Sequence, residues 1–108
     1  MTTPEGKVKA KLRKVLAEFA DRVWTFWPVP SGFQAATLDV LGCVKLSETH
    51  QNIPMFFAIE MKAPGGHLTA RQAALIVDFK QRLNIPVFII YDDAGIEDLR
   101  AWLTAVTI

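Results

Sequence analysis

Hydrophobic positions recur at helical spacing in three parts of the chain. Each of these runs places apolar side chains three or four residues apart, which predicts an amphipathic helix with one packed face. Thr3 and Thr69 stand where a residue that caps a helix N-terminus is expected. The predicted helices are residues 4–21, a second that continues from Thr69 to about Leu83, and a last one capped by Asp92 or Asp93.

Four shorter runs, rich in β-branched, aliphatic and aromatic residues, predict strands. They are "VWTFW" (23–27), "ATLDVLGCVKL" (36–46), "MFFAIEMK" (55–62) and "IPVFIIYD" (85–92). The element order is therefore αβββαβα. A helix between the third and fourth strands implies a right-handed crossover and parallel pairing, while the first three strands suit an antiparallel meander. The prediction is an α/β fold with a central mixed sheet flanked by helices.

Length and composition predict one globular domain that spans residues 1–108, since hydrophobic residues make up 51% of the chain and charged residues 21%. No apolar run reaches the ~18 residues of a membrane span, and the first residues have no apolar core of a signal peptide. We therefore expect a soluble, cytoplasmic protein with no membrane partner. The single cysteine, Cys43, is expected to be a buried packing residue.

Positive charge is concentrated at the start of the chain. Residues 1–22 carry a net charge of +3, whereas the whole chain carries +1. A basic helix suits a polyanionic partner, but the same pattern is also typical of a solvated helix face. Trp24 and Trp27 could likewise stack on bases, although their place in a strand favours a core or subunit contact.

Two charges interrupt the apolar third strand at "FAIEMKA". Alternation on a strand places Phe57, Ile59 and Met61 on one face, and Glu60 and Lys62 on the other. We expect only the first of these faces to be core. A carboxylate buried among apolar groups is costly, so Glu60 needs a cation, a metal ion or water beside it.

Asp39 is a second acid in an apolar segment, where aspartate is unusual. If the second and third strands pair as a meander, Asp39 and Glu60 come close on one face. Two adjacent carboxylates repel each other unless a divalent cation lies between them. The alternative is structural: Asp39 begins a bulge, and Glu60 forms an ion pair with Lys62. The bare residues leave both interpretations open.

The spacing of these residues resembles a known nuclease motif. Asp39, 20 intervening residues and then Glu60-x-Lys62 at a strand end resemble the PD-(D/E)XK superfamily. The run "FFAIEMKAPGGHLTARQ", which continues to Thr69 and Gln72, is similar to its VRR-NUC branch, in the stand-alone form of phages and bacteria. The resemblance covers nearly the whole chain and implies a restriction-endonuclease-like αβββαβ core.

The resemblance also implies a reaction: metal-dependent endonucleolytic hydrolysis of phosphodiester bonds without a covalent intermediate. Asp39, Glu60 and the backbone carbonyl of Met61 would bind Mg²⁺ or Mn²⁺, and Lys62 would position or activate the attacking water. Hard cations prefer oxygen ligands, and lysine supplies a compact positive charge near phosphate, so this division of roles is chemically consistent.

Two further positions match the family less directly. Gln72 corresponds to a glutamine that lines the site, but Thr69 and Gln72 also have the spacing of a capping box, so both roles are open. Glu5 corresponds to an acidic residue of the first helix that contributes to the site in many members. Its alternative role is a favourable charge at a helix N-terminus.

The family relationship implies a DNA partner, with branched DNA such as Holliday junctions as the substrate, a homodimer, and a bacterial or phage-infected host cytoplasm. The expected DNA contacts are Lys7, Lys11, Lys14, His67 and Arg71. Cutting two strands symmetrically requires two sites, which also favours a two-fold dimer. The alternative function is a catalytically inactive DNA-binding module with the same fold, and a purely structural ion pair is the third possibility.

Overall fold

The computed structural model describes residues 3–28 and 37–108. Its order of elements confirms the predicted αβββαβα pattern. The helices are α1 (Pro4–Glu18), α2 (Ala70–Val77) and α3 (Asp93–Thr107), and the strands are β1 (Val23–Phe26), β2 (Val40–Lys45), β3 (Pro54–Met61) and β4 (Val87–Ile90). A 3-10 turn, Glu48–His50, precedes β3, and α2 continues as a π-helical segment, Asp78–Arg82. Strand β2 is shorter than predicted, and Asp39 stands just before it instead of interrupting it.

Capping side chains set the starts of all three helices, as predicted. The Thr3 hydroxyl accepts a hydrogen bond from the Gly6 amide at 3.0 Å, and Asp92 caps α3. Thr69 and Gln72 form a complete capping box at the start of α2. Each cap satisfies backbone amides that lack a partner within the helix. None of the helices within the described ranges is long and apolar enough to cross a membrane.

The sheet has four strands in the order β1-β2-β3-β4. The first three pair antiparallel and β3 pairs parallel with β4, which confirms the predicted mixed sheet flanked by helices. Val40 lies opposite Ile59 in the β2–β3 ladder. One step further along this register, Asp39 faces Glu60. The meander therefore brings Asp39, just before β2, and Glu60, near the end of β3, to the same end of the sheet, as the sequence predicted.

Both faces of β3 are buried, so the prediction that only one face is core is wrong. Phe57, Ile59 and Met61 belong to a large core with α1 and α3. On the other face, Ala58 packs with Ile76 of α2 in a second, smaller core. A strand in the middle of an α/β sheet has helices on both sides, and its apolar residues then follow one another instead of alternating.

Candidate active site

Asp39 is held against β3 by a backbone hydrogen bond. Its Oδ2 atom accepts from the Met61 amide at 2.7 Å, in the place where a longer β2 would offer a backbone carbonyl. The amides of Ala58 and Lys62 instead donate toward β4. Because the amide and carbonyl of one strand residue point the same way, the Met61 carbonyl lies on the Asp39 side of the strand. Asp39 and the Met61 carbonyl thus share one side of β3, as the metal-site hypothesis requires.

Glu60 is a buried carboxylate with an incomplete set of hydrogen bonds. The residue is only 2% exposed, on the face of β3 that α2 covers. Its Oε1 accepts from the Gln72 amide nitrogen at 3.1 Å, whereas Oε2 is buried and has no hydrogen-bond partner among the described residues. Burial, then repulsion from Asp39 and a hydrogen bond that the protonated carboxyl can make to the Asp39 carboxylate, raise the pKa of Glu60 from 4.5 to about 7, against an opposing effect of Lys62. At neutral pH this carboxyl is therefore poised between its charged and uncharged forms.

Lys62 lies close to Glu60 without forming a tight ion pair. Its Nζ is 3.9 Å from Glu60 Oε1, beyond hydrogen-bonding distance, and its side chain is 19% exposed. The structural alternative, in which Lys62 neutralises Glu60, accounts for only part of the observed arrangement, because the second carboxylate oxygen stays unpaired. The ammonium group is thus close enough to favour the charged carboxylate and exposed enough to contact another anion.

Gln72 forms the capping box and also contacts Glu60, so its geometry is compatible with both roles that the sequence left open. Its Oε1 accepts from the Thr69 backbone amide at 2.9 Å, which completes the capping box. The same side chain donates from Nε2 to Glu60. Since the carbonyl end of the amide is held by Thr69, the NH₂ end must point at the carboxylate. The start of α2 therefore fixes which Gln72 atom faces the site.

Replacing Gln72 by glutamate separates the two roles, because glutamate keeps the capping box but loses the donor to Glu60 and adds a like charge. We expect the free energy of unfolding at pH 8 to fall by about 1–3 kcal/mol, since a buried carboxylate loses its partner. At pH 5, where Glu60 holds a proton, most of this loss should disappear. Urea unfolding at both pH values measures it.

Thr69→Ala is the matched control, because it removes the cap hydroxyl and leaves the amide donor of Gln72 in place. This variant should lower the free energy of unfolding by about 1 kcal/mol at both pH values. Equal losses in the two variants at both pH values would show that the bond from Gln72 to Glu60 contributes nothing.

The predicted DNA-binding lysines are exposed along α1. Lys11 Nζ contacts Asp93 Oδ1 of α3 at 2.6 Å, so this lysine is engaged within the protein. Lys7 and Lys11 also line an open cleft together with Pro64. Since Pro64 follows β3 by three residues, the first half of α1 lies beside the strand end that carries the site.

For three other predicted residues, the structure shows the position in the chain but, within its described part, no contact with the site. Glu5 belongs to the first turn of α1, but its side chain lies outside the described part of the structure. His67 is exposed in the loop after β3, and Arg71 is exposed in the first turn of α2. The structure assembles the remaining predicted site residues: Asp39, Glu60, Met61, Lys62 and Gln72.

Tyr91 lies at the same end of the sheet as Lys62 and is not among the predicted site residues. It follows the last residue of β4 and lines the cleft with Lys7 and Pro64. Its position could have been predicted from the sequence. The parallel pairing brings the carboxyl ends of β3 and β4 to one end of the sheet, which is where ligands of α/β sheets bind.

The donor atoms suit a hard cation in type, although few side chains supply them. Within residues 3–28 and 37–108, no three histidine, cysteine, aspartate or glutamate side chains are grouped to hold a metal ion. Asp39, Glu60 and the Met61 carbonyl provide only oxygen donors, which Mg²⁺ and Mn²⁺ prefer. The unpartnered Oε2 of Glu60 is a buried atom that a cation would satisfy. The residues therefore fit a cation held by two carboxylates and a carbonyl.

Comparison of the chain with protein-family models, with curated proteins and with solved structures gives no match. Function is therefore inferred from the contacts among Asp39, Glu60, Lys62 and Gln72. Glu60 is a buried carboxylate with one oxygen lacking a hydrogen-bond partner among the described residues, and a second acid and a lysine lie beside it. Ionisable groups whose pKa is shifted in this way are often found at functional sites.

Proposed function

We propose that this protein is a Mg²⁺- or Mn²⁺-dependent endodeoxyribonuclease of the VRR-NUC type, with the restriction-endonuclease-like αβββαβ core. The observation that carries the proposal is the buried Glu60, whose Oε2 lacks a hydrogen-bond partner among the described residues, beside Asp39 and Lys62. Leaving a buried polar atom unsatisfied costs about 1–3 kcal/mol, and more for a charged one. A metal ion beside Oε2 and a phosphate beside Lys62 would offset this cost.

Asp39, Glu60 and the Met61 carbonyl would hold the cation. When bound, a divalent cation polarises the scissile phosphate and lowers the pKa of a water molecule. The protein's own contribution is to keep two carboxylates together in a site where their repulsion favours a cation. Gln72 holds one oxygen of Glu60, which restricts the rotation of the carboxylate and leaves Oε2 free.

Lys62 would act on the substrate side of the site. Its ammonium group is partly exposed, at the point where the chain leaves β3. There it can attract a phosphate oxygen, orient the attacking water and stabilise the negative charge that develops on phosphorus. Hydrolysis by water directly, with no covalent intermediate, requires no nucleophilic side chain.

Branched DNA such as a Holliday junction is the proposed substrate, within the cytoplasm of a bacterial or phage-infected cell. Lys7 and Lys11, which are exposed on α1, border the cleft at the C-terminal ends of β3 and β4 together with Asp92 and Asp93, and a phosphate backbone could approach the helix there. Symmetric cutting of a junction requires a homodimer, since one chain carries one site.

A catalytically inactive DNA-binding module is the second candidate, and one observation favours it. The described residues contain no cluster of three potential metal-ligating side chains. Loss of cleavage, however, would remove the reason to retain Asp39 and Glu60 side by side, because their repulsion raises the pKa of Glu60 and destabilises its charged form. The nuclease proposal accounts for this pair and the inactive module does not.

A cleavage assay tests the proposed activity. Linear duplex, flap and four-way junction DNA are incubated with the purified protein, with and without Mg²⁺ or Mn²⁺. We expect cutting that requires the metal and is fastest on branched DNA. Binding without cutting at every metal concentration would support the inactive module instead.

Lysines of α1 should determine the salt dependence of DNA binding. In the double variant Lys7→Ala and Lys14→Ala, the slope of log K against log salt should become shallower by about 0.9 per lysine that contacts phosphate. Lys80→Ala is the matched control, since Lys80 is exposed in the π-helical segment after α2. Fluorescence anisotropy between low and moderate salt measures the slopes. Identical slopes in all three proteins would exclude α1 from the DNA interface.

A further inference from the structure

One part of the sheet carries large aromatic side chains in solvent. Helix α2 packs over β3 and β4, but the described residues leave most of the same face of β1 and β2 uncovered. In the register, Trp24 lies opposite Cys43, which lies opposite Phe56, and Phe26 lies two residues further along β1. Trp24 is 65%, Phe26 51% and Phe56 64% exposed. We call these four residues the aromatic face.

The rings of Trp24 and Phe26 are parallel. Their planes differ by 4° and their centroids are 6.4 Å apart. Both side chains project from the same face of β1, where residues two apart are separated by about 6–7 Å. Neighbouring bases of one nucleic-acid strand are parallel as well, and an aromatic ring can stack on any base because every base has a π-face. Two flat, parallel and exposed rings therefore suit two bases of one strand.

Two cations border the aromatic face at the end of the sheet away from Asp39. Lys45 is exposed and lies on the same side of β2 as Cys43, two residues further on. The Arg22 carbonyl accepts from the Lys45 amide, and the Arg22 guanidinium is held by the carbonyls of Lys45 and Leu46. A guanidinium keeps its charge in such contacts. Strands β1 and β2 contain no acidic residue. Rings beside cations fit a partner that is both aromatic and anionic.

The size of the aromatic face favours nucleic acid over a protein partner. At about 200 Å² per aromatic side chain, the exposed fractions of Trp24, Phe26 and Phe56 amount to roughly 350 Å². A standard protein interface buries about 800 Å² on each partner, and its centre is depleted of lysine. A base needs only one ring, and proteins that bind single strands combine such rings with positive charge that follows the phosphates. Lys45 thus suits a nucleic acid better than an apolar protein surface.

We infer that the aromatic face is a stacking platform for the bases of single-stranded DNA, with Lys45 and Arg22 beside its phosphates. The face lies on the same side of the sheet as the candidate active site. Phe56 and Glu60 share one face of β3 and are four residues apart, on the order of 13 Å. The purpose of the platform rests on the proposed function: it would hold an unpaired strand of branched DNA while a phosphate a few nucleotides away enters the site.

Binding of a labelled oligothymidylate in EDTA, followed by fluorescence anisotropy, tests the inference in the absence of cleavage. Trp24→Ala and Phe56→Ala should each weaken binding by about 5- to 100-fold, the range for one stacked base. Leu83→Ala, at an exposed apolar side chain after the π-helical segment, should leave it unchanged. All four proteins should bind a blunt duplex equally, because its bases are already stacked on one another. Circular dichroism verifies folding, and Phe26→Ala replaces a variant that fails to fold.

An abasic strand of the same length separates stacking from charge, since it keeps the phosphates and lacks the bases. The wild type and Trp24→Ala should bind it with the same, weakened affinity. Lys45→Ala should make the slope of log K against log salt shallower by about 0.7 for oligothymidylate and for the abasic strand alike. Lys80→Ala, at an exposed lysine of the π-helical segment, should change neither slope.

Three outcomes would overturn the inference. The first is equal affinity of the wild type, Trp24→Ala and Phe56→Ala for oligothymidylate. The second is an effect of Trp24→Ala that is as large on the abasic strand as on oligothymidylate. The third is a wild-type chain that binds no oligonucleotide but self-associates in sedimentation velocity, with Trp24→Ala abolishing the association, since a second copy would then cover the face. Binding without cleavage contradicts only the proposed activity, whereas cleavage without single-strand binding contradicts only the platform.

Discussion

Replacing Lys62 by methionine is expected to lower the rate of DNA cleavage by about 10²–10³-fold, the usual cost of removing one group that stabilises transition-state charge. Methionine keeps an unbranched side chain of similar reach at the end of β3, so the packing should be preserved. What disappears is the only side-chain cation that the described structure places within 4 Å of Glu60. Single-turnover cleavage of a flap substrate at saturating Mn²⁺ measures the effect.

Two controls separate this chemical role from a general loss of charge. Lys80→Met removes an exposed lysine away from the site and should leave the rate unchanged. Binding of the uncut substrate by Lys62→Met should weaken far less than cleavage, because most phosphate contacts come from elsewhere. A Lys62→Met rate within a few-fold of wild type would remove Lys62 from the proposed mechanism.

The sequence predicted most of the fold because its local rules agree with one another. Thr3, Thr69 and Asp92 cap helices where the apolar periodicity begins. The meander and the helical crossover followed from the order of elements, and the register placed Asp39 opposite Glu60. Asp39 was expected within a strand, yet it stands before β2, since its side chain and not its backbone bonds to β3.

The burial of Glu60 was harder to predict, because it depends on which side of the sheet α2 covers. Alternation of Phe57, Ile59 and Met61 suggested a single core face. The apolar Ala58 between them was the available sign of burial on both faces, since a central strand has consecutive apolar residues. Periodicity within one strand carries no information about the helix that packs on its second face.

The exposure of Trp24 also could not be predicted from the sequence. Trp24 and Trp27 were considered together for a core, subunit or base contact, yet they lie on opposite faces. Trp27 packs against α1, whereas Trp24 is largely in solvent. Cys43, expected to be buried, is only half-buried for the same reason. An aromatic residue on a strand looks the same in sequence whether its own chain or another molecule covers it.

Replacing Glu60 by glutamine should have the second large effect. It should raise the stability of the fold and abolish the metal-dependent activity. Glutamine has the same shape, can still accept from Gln72, and can donate to the Asp39 carboxylate that the charged Glu60 repels. Without metal at pH 8, we expect the free energy of unfolding to rise by up to about 3 kcal/mol. A change of one in the pKa of a group between the folded and unfolded chain corresponds to about 1.36 kcal/mol. Metal-dependent cleavage should be lost.

The pH dependence follows from the raised pKa of Glu60, from 4.5 to about 7 in the folded protein. Below pH 4.5 the carboxyl is protonated in both folded and unfolded chains, and wild type and variant should be equally stable. Between pH 4.5 and 7 the unfolded chain releases its proton first, so the stability of the wild type falls relative to the variant. Above pH 7 the difference stays constant. Urea unfolding from pH 4 to 8 traces this curve.

A matched variant and a metal titration connect this curve to function. Glu97→Gln changes an exposed carboxylate that pairs with Arg100, and should alter stability by less than about 1 kcal/mol. Mg²⁺ or Mn²⁺ should stabilise the wild type at pH 8 in proportion to RT ln(1 + [metal]/Kd), and should stabilise Glu60→Gln much less. If Glu60→Gln is instead less stable than the wild type at pH 8, and metal has no effect on either, then Glu60 and Lys62 form a structural ion pair. A wild type that gains stability only with the metal would show that the buried carboxylate is retained for binding, at the expense of the metal-free fold.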